Sequence, residues 1–530
     1  MRKFSSYGPV STKLHYYVPR KELIEQALGQ LLGQDFDKGG HYITVWAPRQ
    51  AGKTWVMRET FLKLQKQPRF ETVALSLQHL QTTNDVNRVA RKIAQELIGK
   101  LSLEQATVET LDDLDRLFTK DVLSKPLILI LDEFDALPQA AISGLAGVLR
   151  NIYNSRQFQA QTPSAEKDYL LHGVALIGVR SVLGIENVSG SPFNVQRSLH
   201  IPNLTFDEVA EMFQCYEQES GQKVEQAVVE QLFYETRGQP GLIGWFGELL
   251  TETYNRETHK PLTMDNLEEV YAAAINVLPN SNILNIISKA RQEPYKQFVL
   301  EMFQTDKKLP FKYDDNRINF LFINGVIGAE KASKTEYYLR FACPFVQKRL
   351  FNYFSNDLFQ HMGKLHEPFE SLDDTITDDT LHVKNLMRRY EVYLKKNRDW
   401  LLKDAPRKTD LRVYEAVYHF NLYLFLSKFL KSWGGRVYPE FPTGNGKIDL
   451  LIRYAGREHG VEVKSFSNRP AFRAALTQAA CYGRQLGLDE ITLVFFVEYV
   501  DDANRVKYET VYQDEETGVK VRPVFVETSR

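Results

Sequence analysis

A fifteen-residue stretch, ITVWAPRQAGKTWVM from Ile43 to Met57, constrains this chain more than any other. Its apolar start (Ile43, Val45, Trp46) breaks at Pro48, turns through Gly52-Lys53-Thr54 and returns to a helical pattern at Val56, Met57, Phe61 and Leu62. That order predicts a strand, a tight loop and a helix. Such a loop aims successive backbone N–H groups and the positive end of a helix at one point, which suits an anion with several oxygens. The phosphate-binding signature is GxxxxGK[S/T], with the lysine reaching the terminal phosphates and the hydroxyl holding Mg²⁺. Ala47 stands in place of the first glycine, a mild departure because a methyl group adds little bulk beside the loop. Arg49, Gln50, Ala51, Gly52, Lys53, Thr54 and Trp55 are the candidate nucleotide-binding residues, and Thr54 is also a candidate metal ligand. A chance GKT in a surface turn is the alternative, against which the flanking strand and helix argue.

Such a site needs a second strand ending in acid, and one is present. Leu127 to Leu131 (LILIL) is apolar without alternation, as in a strand buried on both faces of a parallel sheet, and it runs into Asp132-Glu133-Phe134-Asp135. Asp132 is the candidate Mg²⁺ ligand and Glu133 the group that polarises the attacking water. Further strands are expected at 72–76 and 173–180, with a helix at 85–101 and another through Leu145 to Tyr153. This alternation predicts a parallel sheet with its chemistry at the carboxyl edge. Arg180 at that edge is a candidate γ-phosphate sensor. Arg20, in the leader Tyr16-Tyr17-Val18-Pro19-Arg20, is a candidate contact on the adenine side, and a capping arginine is the competing reading. Ser198 to Leu204 is the expected last strand, and Thr205-Phe206-Asp207-Glu208 is a capping box that opens a helical lid. Within the lid, Gly238 and Pro240 are candidates to lie against the base, unless Gly-Gln-Pro is only a stop between helices.

Global charge excludes little: 66 basic residues face 67 acidic ones, so any nucleic-acid surface must be local. Cys215, Cys343 and Cys481 are too far apart to suggest a zinc site or a disulfide framework, and fit a reducing compartment. MRKFSSYGPVS has no apolar core, and no apolar run is long enough to span a bilayer; the expectation is a cytoplasmic protein with no membrane partner. Helices and a hairpin, Phe320 to Gly328 then Glu336 to Phe341, suggest a winged-helix unit in the middle of the chain. From Glu367 to Thr380 the ionisable residues are all acidic, and the stretch reads as an exposed linker. From Lys384 to Arg412 ten basic residues face four acidic ones, with Tyr390, Tyr393 and Trp400 interleaved. A solvated helix face is the default reading and phosphate-backbone contact the functional one.

A second constellation lies in Pro442 to Lys464. Lys447 to Tyr454 alternates as a strand, Gly456-Arg457 can turn, and Gly460 to Phe466 returns. With that turn Asp449 faces Lys464, and Glu462 lies diagonally beside Asp449 on the same face. Two carboxylates and an ammonium then share a patch of an apolar hairpin, which is costly unless a cation joins them. Mg²⁺ held by Asp449, Glu462 and the carbonyl of Val463 fits, with Lys464 orienting or deprotonating a water that attacks a phosphodiester. A structural hairpin with ordinary charges is the alternative.

Asp449 followed by Glu462-Val463-Lys464 resembles the PD-(D/E)XK nuclease core. The resemblance places Glu415, on the preceding helix, as the family's helical acid, and Gln478 and Tyr482 as its QxxxY element. The YVPR leader, GKT loop, LDEFD strand and GQP element are similar to the AAA-like, STAND-related ATPases of prokaryotes, some of which carry this nuclease at their C-terminus. The implied fold is α/β and multidomain: an AAA-like P-loop NTPase core with a parallel sheet (1–204), a helical lid (205–255), a winged-helix-like region (256–363), a linker with a basic helix (364–410) and a restriction-endonuclease-like α/β domain (411–530). The implied function is ATP hydrolysis controlling a Mg²⁺-dependent nuclease, with Mn²⁺ as substitute, DNA as substrate and anti-phage or mobile-element defence as setting. A signalling or scaffold ATPase with an inactive nuclease-like domain is the competing function. A homo-oligomer would call for an arginine finger from a neighbouring copy, for which Arg150 and Arg156 are candidates.

Overall fold

The computed structural model describes residues 1–6, 8, 11–103, 107–178, 197–304, 309–403, 405–407, 413, 415–442, 447–466 and 468–529. The chain forms two compact units: residues 1–286 with 310–344, and residues 287–309 with 345–530.

In the first unit α1 (Lys21–Leu32), β1 (Tyr42–Trp46), α2 (Lys53–Leu64), β2 (Glu71–Ser76), α3 (Val86–Leu101), β3 (Leu127–Asp132), α4 (Gln139–Phe158), β4 (Leu171–Gly178) and β5 (Arg197–His200) follow in turn. The strands are all parallel, in the order β2-β3-β4-β1-β5. The LILIL run shows why its sequence lacks alternation. Leu127, Leu129 and Leu131 face a core with residues of α3 and α4, whereas Ile128 and Ile130 face a core with residues of α1 and α2. Both faces are covered, so both must be apolar.

Arg156 lies near the end of α4, remote from the acidic exit of β3 where that helix begins. It is 4% exposed, and its guanidinium donates to the carbonyl of Tyr169 and to Ser164 Oγ (2.6 Å). Ser164 Oγ in turn lies 2.8 Å from Nδ1 of buried His172, at the start of β4. Arg156 is therefore a brace inside the domain and not an arginine finger, because its donors are used and its side chain cannot reach a neighbouring molecule.

The region expected as a lid holds α5 (Phe206–Ser220), α6 (Gln226–Thr236) and α7 (Pro240–Glu248), followed by α8 (Met264–Asn276). Thr205 and Glu208 close the expected capping box on α5. Further along come α9 (Ser281–Ala290), α10 (Tyr295–Gln304), α11 (Asn316–Ile323), β6 (Ile327–Lys331), β7 (Tyr337–Phe341) and α12 (Pro344–Leu358). The hairpin is shorter than its sequence suggests: Phe320 to Ile323 is helical, because Asp315 caps the run by accepting from Arg317 N (2.8 Å) and Ile318 N (3.4 Å). Residues 256–363, the expected winged-helix-like region, are divided between the two units. Among the described residues no single helix is long and apolar enough to cross a membrane.

The second unit holds α13 (Val383–Leu401), α14 (Glu415–Lys431), β8 (Arg436–Pro442), β9 (Lys447–Tyr454), β10 (Arg457–Ser465), α15 (Arg469–Gln485), β11 (Glu490–Val497), α16 (Asp502–Tyr508), β12 (Tyr512–Gln513) and β13 (Lys520–Glu527). Its mixed sheet runs β12-β13-β11-β10-β9-β8, with β10, β11 and β13 parallel and the outer pairs antiparallel. The apolar face of α15 (Phe472, Leu476, Ala479) packs on Ile448, Leu493, Phe495 and Phe525. Tyr390 of α13 and Tyr418 of α14 meet Phe496 of β11.

Two charge readings need correction. The acidic stretch is not a free linker: Thr375 and Ile376 are fully buried, and Arg389 of α13 pairs with Glu370 and Asp374 (2.6 Å to the latter). Nor is α13 a free basic face. Arg388 pairs with Glu391 (3.1 Å) and with Glu509, Lys395 with Glu527 (2.8 Å), and Lys396 with Glu367 (2.6 Å). These four cations of α13 are paired with acids of their own unit, so none of the four stands as an unpaired charge facing a phosphate backbone.

Candidate functional sites

At the first site, β1 ends in the phosphate loop and α2 opens at Lys53. Gln50 and Gly52 adopt left-handed backbone (φ 56° and 90°), which turns the loop back over the end of its strand. Lys53 Nζ folds under the loop and donates to the carbonyls of Ala47 (2.8 Å) and Pro48 (2.9 Å). Burial pushes its ammonium down to about 8, against the pull of Asp135 and Asp132 and with a further push from Arg49. Thr54 is exposed on the first turn of α2, and its hydroxyl bonds to Asp132. Burial holds the Asp132 carboxyl above its ordinary range, partly offset by that bond.

Glu133 takes a left-handed conformation (φ 56°), rare for a residue with a side chain. The strain turns its carboxylate towards the exit of β2, where Ser76 Oγ donates to it at 3.1 Å. With its amide oriented to donate, Gln78 reaches both oxygens of the same carboxylate, at 3.1 and 3.2 Å. Thr54, Asp132 and Glu133 thus stand at one edge, and a hydroxyl beside a carboxylate is a donor set that suits Mg²⁺.

The lid element closes on the loop from outside. Gly238 (φ 69°) passes so near Leu204 that a Cβ would lie 2.0 Å from its carbonyl oxygen, so only glycine fits. Gln239 Nε2 then donates to the carbonyl of Arg49 (3.1 Å), and Gly241 N donates to that of Gln50 (3.1 Å). Pro240 is the first residue of α7, so this helix begins against the loop. Trp55 is buried beside Tyr17, ring to ring at 4.9 Å. Arg20 points elsewhere: it pairs with Glu208 (2.9 Å) and donates to Pro202 O (3.1 Å), tying the leader to the lid. Arg180 lies outside the described residues.

Lys53 gives the first site a pH signature. In the free protein its proton is lost near pH 8, whereas a bound polyphosphate favours the ammonium and raises that value. Nucleotide binding therefore takes up a proton above pH 8. Affinity is expected to fall as pH rises beyond about 8, by up to about tenfold per pH unit, and to be insensitive to this group below pH 7. Titration of a fluorescent ATP analogue from pH 7 to 9.5 measures this, and the slope should vanish in Lys53→Met.

At the second site the turn is Ala455-Gly456 (φ 47° and 73°), not Gly456-Arg457, so Arg457 pairs with Tyr454 and Val461 with Leu450. Continuing that register sets Asp449 directly opposite Glu462, with Lys464 on the diagonal. The slip is two residues, and side chains alternate every residue, so all three keep the same face. Val463 N donates to Asp449 Oδ2 (2.7 Å), and Asp449 N to Glu462 Oε2 (3.4 Å). Lys464 Nζ lies 2.9 Å from Glu462 Oε1; Glu462 is 1% exposed, and this ammonium offsets its burial.

Asp449, Val463 and Lys464 line a cavity of about 310 Å³ together with Gln478 of α15 and His419 of α14. Gln478 Nε2 donates to the Tyr482 hydroxyl at 2.9 Å, one turn on along α15. Glu415 begins α14, and its side chain lies outside the described residues. Sequence reasoning missed His419, although it stands four residues after Glu415 and so on the same helical face. No group of three or more His, Cys, Asp or Glu side chains among the described residues is placed to hold a metal.

Residues 5–257 match the family described as AAA-like domain. Among solved structures, the Walker-type ATPase PABY2304 of Pyrococcus abyssi is similar at 13% identity and a TM-score of 0.44, over 66% of this chain and 99% of that one. The Aeropyrum pernix ORC1 protein in complex with DNA is similar at 15% identity and a TM-score of 0.34, over 64% and 93%. The Thermotoga maritima RuvB Holliday junction branch migration motor is similar at 11% identity and a TM-score of 0.31, over 61% and 92%. No curated protein matches.

Proposed function

We propose that residues 5–257, an AAA-like P-loop ATPase domain, govern a phosphodiesterase site in the second unit, and that the protein is an ATP-controlled nuclease acting on nucleic acid, with DNA the favoured class. One observation carries the reading. Asp449, Glu462 and Lys464 meet on one face of a hairpin that borders a cavity, in a unit separate from the phosphate loop.

Each residue has a role its placement can serve. Thr54 and Asp132 hold Mg²⁺ at the nucleotide, Lys53 binds the terminal phosphates, and Glu133 takes the proton of the attacking water. At the second site Asp449, Glu462 and the Val463 carbonyl hold Mg²⁺ or Mn²⁺, which supplies charge neutralisation when bound. Lys464 orients the attacking water, and Gln478 fixes the substrate or that water from α15. Tyr482 holds the amide of Gln478.

A physical route for control runs through residues 310–344. Gly325 (φ 73°), in the turn between α11 and β6, approaches Pro48 so closely that a Cβ would lie 3.1 Å from Pro48 Cβ. Phe322 meets Trp46, the last residue of β1, at 6.0 Å. This segment touches the phosphate loop, and at both ends its chain continues into the second unit. A loop that moves when it closes on ATP therefore pulls on the connections to the nuclease unit.

The test is cleavage of labelled DNA and RNA in Mg²⁺ or Mn²⁺, with and without ATP, comparing wild type with Lys53→Ala. ATP is expected to change the wild-type rate several-fold and to leave the variant's unchanged. Equal ATP dependence in both proteins removes the coupling. A signalling ATPase with an idle second site is the other reading, favoured by the engagement of Asp449 with Val463 N and of Glu462 with Lys464; it predicts no cleavage under any condition.

A further inference from the structure

We infer that the cavity of the second unit takes a single strand of polynucleotide and excludes a duplex, an inference that rests on the phosphodiesterase reading above. Size is the first argument. At about 310 Å³ the cavity is at the small end of the roughly 300–1,000 Å³ typical of pockets that enclose one small molecule. It has room for one nucleotide around the bond to be cut.

Charge is the second. A duplex binder lays several phosphates of each strand against rows of lysine and arginine. Among the described residues that line this cavity Lys464 is the one permanent cation, and it already lies 2.9 Å from Glu462. Arg388, Arg389, Lys395 and Lys396 of α13 are committed to carboxylates of their own unit. Duplex affinity would need a cationic track that none of these groups provides.

Lining chemistry is the third. Opposite the acids, α15 presents Ala471, Ala474, Ala475 and Gln478, and Phe303 and Phe496 complete the apolar part of the wall. The two rings are buried and packed on Phe351, Phe420, Tyr390 and Tyr418, so they back the wall, and exposed Ala471 and Ala474 leave a low apolar surface that suits the sugar and base of an unstacked nucleotide. A phosphodiester brought to Asp449 with its base against this wall must come from a flexible strand.

The experiment compares one labelled oligonucleotide as a single strand and as a blunt duplex, using the full chain with Mg²⁺ and ATP. Ala474→Trp narrows the cavity from an exposed position, so the core is untouched. The single strand is expected to be cut at least about tenfold faster than the duplex, and Ala474→Trp to lose about tenfold on it, in line with the worth of one stacked base. ATP hydrolysis should be unaffected by this substitution. Fluorescence anisotropy of the same oligonucleotides in Ca²⁺ reads binding independently of cleavage. Duplex cut or bound as well as single strand, or Ala474→Trp binding and cutting like wild type, overturns the inference. Absence of Asp449-dependent cleavage defeats the nuclease reading instead, and the anisotropy preference then still decides which strand form the cavity accepts.

Discussion

At the proposed phosphodiesterase site Asp449→Asn is expected to lower cleavage by roughly 10²–10³-fold, the loss typical when one group that stabilises developing charge is removed. The substitution keeps the side chain's shape and its place beside Val463 N, so the hairpin should hold while the negative charge disappears. Glu462→Gln should also abolish cleavage, but for mixed reasons. Glu462 is almost fully buried and 2.9 Å from the Lys464 ammonium, and breaking a buried pair from one side costs up to about 3–5 kcal/mol. Glu462→Gln with Lys464→Met restores neutrality, and should recover stability without recovering cleavage. The measurements are single-turnover cleavage of a labelled strand and thermal unfolding of each variant, with ATP hydrolysis as the internal control. Asp449→Asn that cuts within about threefold of wild type would place the chemistry elsewhere.

What the sequence conveyed about this second site was its faces, not its register. Asp449, Glu462 and Lys464 lie at even spacing along their strands, and any turn that shifts the pairing by two leaves them together. The turn itself was obscured because Ala455 takes a left-handed conformation that glycine or asparagine would have announced. Charge pairing was not legible either. Glu509 and Glu527 neutralise Arg388 and Lys395 from 121 and 132 residues along the chain, so a local count of ten bases against four acids overstates the free charge of α13.

The first site was more legible for a physical reason. Its loop, its acidic strand end and its glycines are each fixed by local backbone geometry, and that geometry selects residue types within a few positions. The GQP element shows the limit of such reading. Its glycine and proline looked like a stop between helices or a wall for the base. What the fold adds is Gln239, whose amide bonds the Arg49 carbonyl and links the lid to the loop.

Glu133→Gln should leave ATP binding within about twofold of wild type and cut hydrolysis by at least about 100-fold, because the amide cannot accept a proton from water. Glutamine preserves the bulk, and its oxygen can still accept from Ser76 Oγ, so the left-handed turn at the end of β3 should persist. Asp132 Oδ1, which accepts the backbone N–H of residue 133 at 2.9 Å, is indifferent to the change. The measurements are binding of a fluorescent ATP analogue and single-turnover hydrolysis, with Ser76→Ala in parallel. Ser76→Ala frees the carboxylate without removing it, so its hydrolysis should change far less than that of Glu133→Gln. If both variants fell equally, orientation of Glu133 by β2 would matter as much as its basicity. If Glu133→Gln hydrolysed at the wild-type rate, the base would have to be sought at Asp135, whose carboxylate stands against Gly178 at the end of β4. A Glu133→Gln protein saturated with ATP should also retain its nucleotide unhydrolysed. On the proposed coupling, its rate at the second site would then show which state of the ATPase favours cleavage, because Pro48 lies beside Gly325 in the segment that leads into that unit.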